Sequence, residues 1–148
     1  HRDLHVSCRR HRLCIRDRRP TQPGLRVERF AGDFSKVPDD LDARQAEATT
    51  TTPTIALPAN VGERVLLRHR GVLAVPKDGL YHFVLTSDDG SVLRLDGQTV
   101  VDHDGLHGPT EKRGTIALMA GDHTFDLVWF NRTGGATLAL QWHAHGAK

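Results

Sequence analysis

From Tyr81 onward, apolar residues fall on every second position, run after run, and each run is closed by a short turn signal. Alternation at period two marks a strand with one face in a core, and a chain dominated by it must build sheets. Tyr81, Phe83 and Leu85 alternate with His82 and Val84, and Ser87-Asp88-Asp89-Gly90 then turns the chain. Leu93 and Leu95 flank Arg94. Asp96-Gly97, a tight-hairpin dipeptide, leads into Thr99-Val100-Val101, and His103-Asp104-Gly105 breaks that run. Ile116 and Leu118 form the next strand before Ala120-Gly121-Asp122. Phe125, Leu127 and Trp129 share a face, a loop spans 131–135, and Leu138, Leu140 and Trp142 share another. Upstream, Leu25 to Phe30 and Arg64 to Val75 supply at least two more strands. Short strands at this spacing predict an all-β sandwich or barrel. Residues 37–48 have room for a short helical turn. Thr49 to Thr54, with Pro53, reads as a low-complexity loop. No helix-forming repeat is present.

The chain has 148 residues, the size of one domain, with 26 % charged residues. Charge is unevenly placed. Residues 1–20 hold seven arginines and two aspartates, while the rest carries 13 basic and 16 acidic residues. Residues 1–22 therefore read as a basic, flexible arm or linker, 23–143 as the sandwich, and 144–148 as a tail. The mildly acidic body argues against a nucleic-acid surface. No apolar run has the length of a membrane span, and no signal-peptide core is visible. A chain beginning at His1 reads as part of a longer one, linked to other domains.

The stretch GLYHFVLTSDDGSVLRLDGQTVVDHDGLHG, followed by GTIALMAGDHTFDLVWFNRTGGATLALQW, resembles the anthrax protective-antigen N-terminal domain family (the PA-fourteen domain). The shared pattern is ordered. An aromatic strand, a Ser-Asp-Asp-Gly turn, an apolar strand and an Asp-Gly hairpin come first. A Leu-x-x-Gly-x-His turn (Leu118 to His123), a long strand, a Gly-rich loop and a strand ending in Trp follow. Gly24 to Phe34 resembles the family's opening strand. The resemblance implies a β-sandwich of jelly-roll-like topology and an accessory, non-enzymatic role in exported proteins. It implies an extracellular or cell-surface place, beside glycosidases, toxins or adhesins. In the lectin branch, which includes yeast flocculins and fungal adhesins, two consecutive Asp joined by a cis peptide hold calcium with an Asn from a later loop. Asp88, Asp89 and Asn131 match those positions. Backbone groups of the later loop complete such a site, which adds Arg132, Gly134 and Gly135 as ligand-binding residues. Gly90, directly after the pair, departs from the yeast lectins and follows the general family turn.

The chemistry is consistent with that expectation. Calcium takes oxygen ligands, and carboxylates, an amide carbonyl and backbone carbonyls supply them. Sugar hydroxyls can then replace water, or donate to the carboxylates. Neighbouring strand residues point to opposite faces, so Asp88 and Asp89 converge only if the backbone breaks that alternation. Ser87 to Gly90 also reads as an ordinary polar turn. Asp102, His103, Asp104 and His107 form a polar loop; Asp104 and His107 are candidate sugar contacts, against a solvated turn as the plainer reading. Trp129 and Trp142 share parity with leucines and are expected in the core. Phe130, of opposite parity, is the candidate binding-loop aromatic. His5, Cys8, His11 and Cys14 are zinc-ligand types, with a Cys8–Cys14 disulfide as the stronger alternative. Asn131-Arg132-Thr133 is also an N-glycosylation sequon, whose use would exclude a ligand at Asn131. No nucleophile–base pair or phosphate loop appears. The expected function is calcium-dependent carbohydrate binding. The alternative is a structural or protein-interaction module appended to a larger exported hydrolase or adhesin.

Overall fold

A computed structural model describes residues 2–3, 14–16 and 24–146 of the chain, with side chains from 24 to 146. The strands are β1 (Arg2–Asp3), β2 (Cys14–Arg16), β3 (Leu25–Ala31), β4 (Ala48–Thr52), β5 (Val65–Val75) and β6 (Gly79–Asp88). After them come β7 (Ser91–Leu95), β8 (Gln98–His103), β9 (Thr110–Leu118), β10 (Gly121–Asn131) and β11 (Thr137–Ala144). They form two antiparallel sheets. One has the order β1-β11-β6-β9. The other runs β4-β3-β5-β10-β7-β8, with β2 also paired to β5. The architecture is the all-β sandwich that the alternation predicts. No described helix is long and apolar enough to cross a membrane.

Parity places the main core. Tyr81, Phe83 and Leu85 of β6 and Leu138, Leu140 and Trp142 of β11 are buried against Leu93, Leu95, Phe125, Leu127 and Trp129 of the other sheet. Asp96 (φ 53°) and Gly97 (φ 77°) both take the left-handed conformation that closes the β7–β8 hairpin. That geometry follows the twist of the strands it joins.

A second core lies on the outer face of the larger sheet. Phe34, Val37 and Leu41, on the segment with the short 3-10 turn Leu41–Ala43, cover Phe30, Leu66, Val92, Val128 and Phe130. The middles of β5 and β10 are thus buried on both faces, which explains the unbroken runs Val65-Leu66-Leu67 and Leu127-Val128-Trp129-Phe130. Phe130 is wholly buried there, so its expected role as a binding-loop aromatic is corrected. Arg68 on the same face is held by Asp126 (Nη2 to Oδ2 2.8 Å) and Asp42 (Nη1 to Oδ1 2.6 Å). Ala48–Thr52 is a strand paired to β3 and not a loop. Its threonines are β-branched residues suited to an exposed edge.

His69 sits between the sheets. It is wholly buried, with Nδ1 3.3 Å from the Leu127 carbonyl oxygen and Nε2 without a partner. Burial pushes its pKa down to about 4, against the smaller opposing pulls of the Leu127 carbonyl and Asp126. The imidazole is therefore neutral at pH 7.

Two of the places where the chain changes sheet are neighbouring corners. Asp89-Gly90 carries it from β6 to β7, and residues 132–136 carry it from β10 to β11. Asp88 pairs with Thr137, so the two corners lie side by side at one end of the sandwich.

Candidate functional site

The first corner is fixed by its backbone. The Asp88–Asp89 peptide is cis. The buried Trp129 donates its indole N–H to the Asp88 carbonyl at 2.9 Å. Asp89 N–H donates to the Phe130 carbonyl and Phe130 N–H to the Gly90 carbonyl, each at 3.0 Å. Ser87 and Ser91, both buried, join their hydroxyls across the turn at 2.6 Å. These bonds tie the Asp pair to the end of β10, where Asn131 lies.

The two carboxyls meet. Burial, then the charge of the adjoining Asp89 carboxylate and a hydrogen bond with it, raise the Asp88 pKa above the ordinary aspartate value. The positive influence of His107 opposes this weakly. Asp89 is 8 % exposed, and its Oδ2 accepts from the backbone N–H of Arg132 at 2.9 Å.

Asn131 has no exposed surface. Its amide nitrogen donates to the carbonyls of Gly62 (3.0 Å) and Gly134 (3.2 Å). Two acceptors on one side fix which end of the amide is nitrogen. The other end, Oδ1, is buried without a hydrogen-bond partner. A buried acceptor left without a donor costs about 1–3 kcal/mol, so the corner holds an oxygen that protein groups leave unsatisfied. The burial also speaks against use of the 131–133 sequon in the folded chain.

Neighbouring loops brace the segment. Gly134 N–H donates to Glu63 Oε2 at 2.5 Å, Arg64 N–H to the Arg132 carbonyl at 3.0 Å, and Arg132 Nε to Asp33 Oδ1 at 3.0 Å. A hollow of about 380 Å³ opens there, lined by Asp33, Arg64, Asp89, Leu106, Arg132 and Thr133. Leu106 is 48 % exposed, an apolar surface in an otherwise polar wall. Gly90 has a local reason of its own. A Cβ built on it would stand 2.7 Å from Gly105 N, Gly105 O and Phe130 Cε1, so the turn packs flat against the following loop.

Of the residues singled out from the sequence, Asp88, Asp89, Asn131, Arg132 and Gly134 come together. Gly135 lies exposed in the same loop, with open space around it. Asp104 does not line this hollow. Its Oδ1 accepts from the N–H groups of Val37 (2.9 Å) and Gly105 (2.8 Å), and it borders a separate polar hollow with Asp102, Arg68 and Arg94. His107 stacks on His103, with ring centroids 4.1 Å apart, and turns Nε2 to the His103 carbonyl and Nδ1 to the Gly108 carbonyl. Both are engaged in shaping their own loop. Asp33, Arg64 and Leu106 went unnoticed in the sequence. Only Leu106 left a trace there, as an isolated apolar residue between Gly105 and His107 in a polar loop. No group of three His, Cys, Asp or Glu able to hold a metal occurs among the described residues. The oxygen set here is two carboxylates and an amide. The side chains of His5, Cys8, His11 and Cys14 lie outside the described residues.

A family model described as the PA14 domain matches residues 21–148. Among solved structures, the fold is similar to the PA14 domain of an antifreeze protein, at 17 % identity, over 83 % of this chain and 82 % of that one, with a TM-score of 0.74. It is similar to a PA14 sugar-binding domain from an RTX adhesin, at 22 % identity, over 84 % and 92 % of the two chains, also with a TM-score of 0.74. An α-xylosidase from Xanthomonas citri matches at 17 % identity and a TM-score of 0.66, over 88 % of this chain and 15 % of the enzyme. No curated protein sequence matches.

Proposed function

The chain belongs to the PA14 domain family, and from that premise we propose that it is a calcium-dependent carbohydrate-binding module of an exported protein, with no catalysis of its own. One observation carries the reading: the buried, partnerless Oδ1 of Asn131 sits one residue from the backbone N–H that binds Asp89, whose carboxylate adjoins that of Asp88. Two neighbouring carboxylates repel, and an acceptor without a donor is unsatisfied. A cation with oxygen ligands relieves both. Asp88, Asp89 and Asn131 are the residues that would hold calcium, whose preference for carboxylate and carbonyl oxygen they meet. Bound calcium would supply coordination positions that two sugar hydroxyls fill in place of water.

The chain's own groups account for the rest of recognition. Asp89 accepts hydroxyl hydrogen bonds, which charge strengthens. Arg132 and Arg64 present donors at the rim, and Leu106 offers a surface for the apolar C–H face of a sugar ring. The glycines at 134 and 135 keep the approach open. The hollow falls within the range of small-ligand sites, about 300–1,000 Å³. The likeness to an adhesin domain named as sugar-binding supports the same reading. Calorimetric titration with simple hexoses, in calcium and then in chelator, tests it. Binding in calcium alone, lost in Asp89→Ala, is the expected result. Equal heats in both buffers, or none in either, would reject it.

A second reading has one observation in its favour. The α-xylosidase carries the same fold as a small part of a long chain. A module of that kind can act as a spacer or docking element in a larger exported hydrolase or adhesin. Asp89→Ala would then leave every interaction unchanged.

A further inference from the structure

Away from the hollow, three histidines meet on the outward face of the β11-β6-β9 sheet. His82 of β6 and His143 of β11 are direct cross-strand partners, with rings stacked at 4.6 Å. His145, just beyond β11, is anchored by its backbone N–H to the Leu80 carbonyl at 2.8 Å. Its ring lies 5.2 Å from that of His82, and its Nδ1 is 3.0 Å from His82 Nε2. The other nitrogen of His82, Nδ1, is 2.7 Å from Thr115 Oγ1 on β9.

We propose that His82 Nε2 and His145 Nδ1 form a binding site for a divalent transition metal, separate from the oxygen site at the sandwich end. Nitrogens bound to one zinc at about 2.0–2.1 Å lie about 2.9 Å apart at a right angle and about 3.3 Å apart at a tetrahedral angle. The 3.0 Å contact is an N–H···N hydrogen bond in the metal-free chain; its length falls between these values, so a turn of the two rings that frees the shared proton lets one ion take its place. Thr115 supplies what such a ligand ordinarily has, a partner for its second nitrogen. With Nδ1–H donating to Thr115 Oγ1, the lone pair of His82 is on Nε2 and accepts from His145 Nδ1–H. On metal binding His145 takes its other neutral tautomer, with the proton on Nε2, and its Nδ1 lone pair becomes the second ligand. Imidazole suits zinc, copper and nickel, whereas calcium prefers oxygen. The two sites therefore select different ions. No third His, Cys, Asp or Glu among the described residues completes a chelating group. The site is open, with two protein nitrogens and the remaining positions left to water or an outside ligand.

Zinc added alone to the full chain, followed by NMR of the histidine ring resonances, tests this. His82 and His145 should shift together with one midpoint, and calcium at equal concentration should move neither. His82→Ala should raise the zinc midpoint read at His145 at least tenfold. Thr115→Val keeps both ligands and removes only the tautomer-fixing partner, so it should weaken binding several-fold while the amide spectrum of β10 stays unchanged. Separate midpoints for the two rings overturn the proposal. So does a His145 midpoint that survives His82→Ala, or zinc uptake confined to residues 1–22.

Discussion

Substituting His69 by leucine should flatten the acid sensitivity of the fold. The folded imidazole, sealed between the sheets, has a pKa of about 4, against an ordinary value of 6.5. A group whose pKa is depressed on folding takes up its proton first in the unfolded chain. Stability is therefore intact above pH 6.5 and falls as the pH drops toward 4. At 1.36 kcal/mol per pH unit, the loss reaches about 2 kcal/mol at pH 5 and about 3 kcal/mol at pH 4. His69 has no exposed surface, so solvent gives little screening. The assay is urea unfolding of both chains at pH 7.5 and pH 5.0. With a slope of about 2 kcal/mol per molar urea, the midpoint of the native chain should drop about 1 M further than that of His69→Leu. Comparing the two drops removes the constant cost of the substitution and the contributions of other titrating groups. Parallel drops would mean that His69 is reached by protons in the folded state, and the reasoning from its burial would fail.

Four other outcomes are expected. Asn131→Ala should abolish calcium binding by calorimetry, because it removes the amide oxygen that lacks a protein partner. Calcium at a hundred times its dissociation constant should stabilise the native chain by about 2.7 kcal/mol, seen as a rise in Tm that Asp89→Ala and Asn131→Ala both lack. Gly90→Ala should weaken sugar binding and lower stability by about 1–3 kcal/mol, since its Cβ has to displace Gly105 or Phe130; circular dichroism melts and calorimetry read both. Arg68→Met should cost about 2 kcal/mol in urea unfolding, less than a fully buried pair would, because Asp126 keeps partial access to water.

Much of the sandwich could be read from side-chain parity. Tyr81, Phe83 and Leu85, and later Leu138, Leu140 and Trp142, each place one face in the core, and Asp96-Gly97 fixes the hairpin between β7 and β8. Parity failed where a strand has two buried faces. Phe130 alternates away from Trp129, so it read as outward-facing, yet Phe34, Val37 and Leu41 roof that side. The unbroken run from Leu127 to Phe130 was the available sign. Thr49 to Thr54 read as a loop, although the strand runs through Thr52, because exposed edge strands carry no apolar alternation. At the site, Asp88, Asp89 and Asn131 were legible through an ordered motif. Asp33, Arg64 and Leu106 were not, because loops distant in sequence bring them to the hollow, and no spacing encodes that meeting. Asp104 and His107 have the chemistry of ligands, but backbone groups of nearby loops engage their polar atoms.

The two corners beside Asp88 and Asn131 belong to different passages between the layers, one outbound and one returning. An ion gripping both would work as a rivet through the stack. Prying the layers apart at that end would first require its release, so chelation should shorten the lifetime of the folded module under mechanical load. A domain that holds its ligand through such a fastening grows more resistant to tearing at the moment it is engaged.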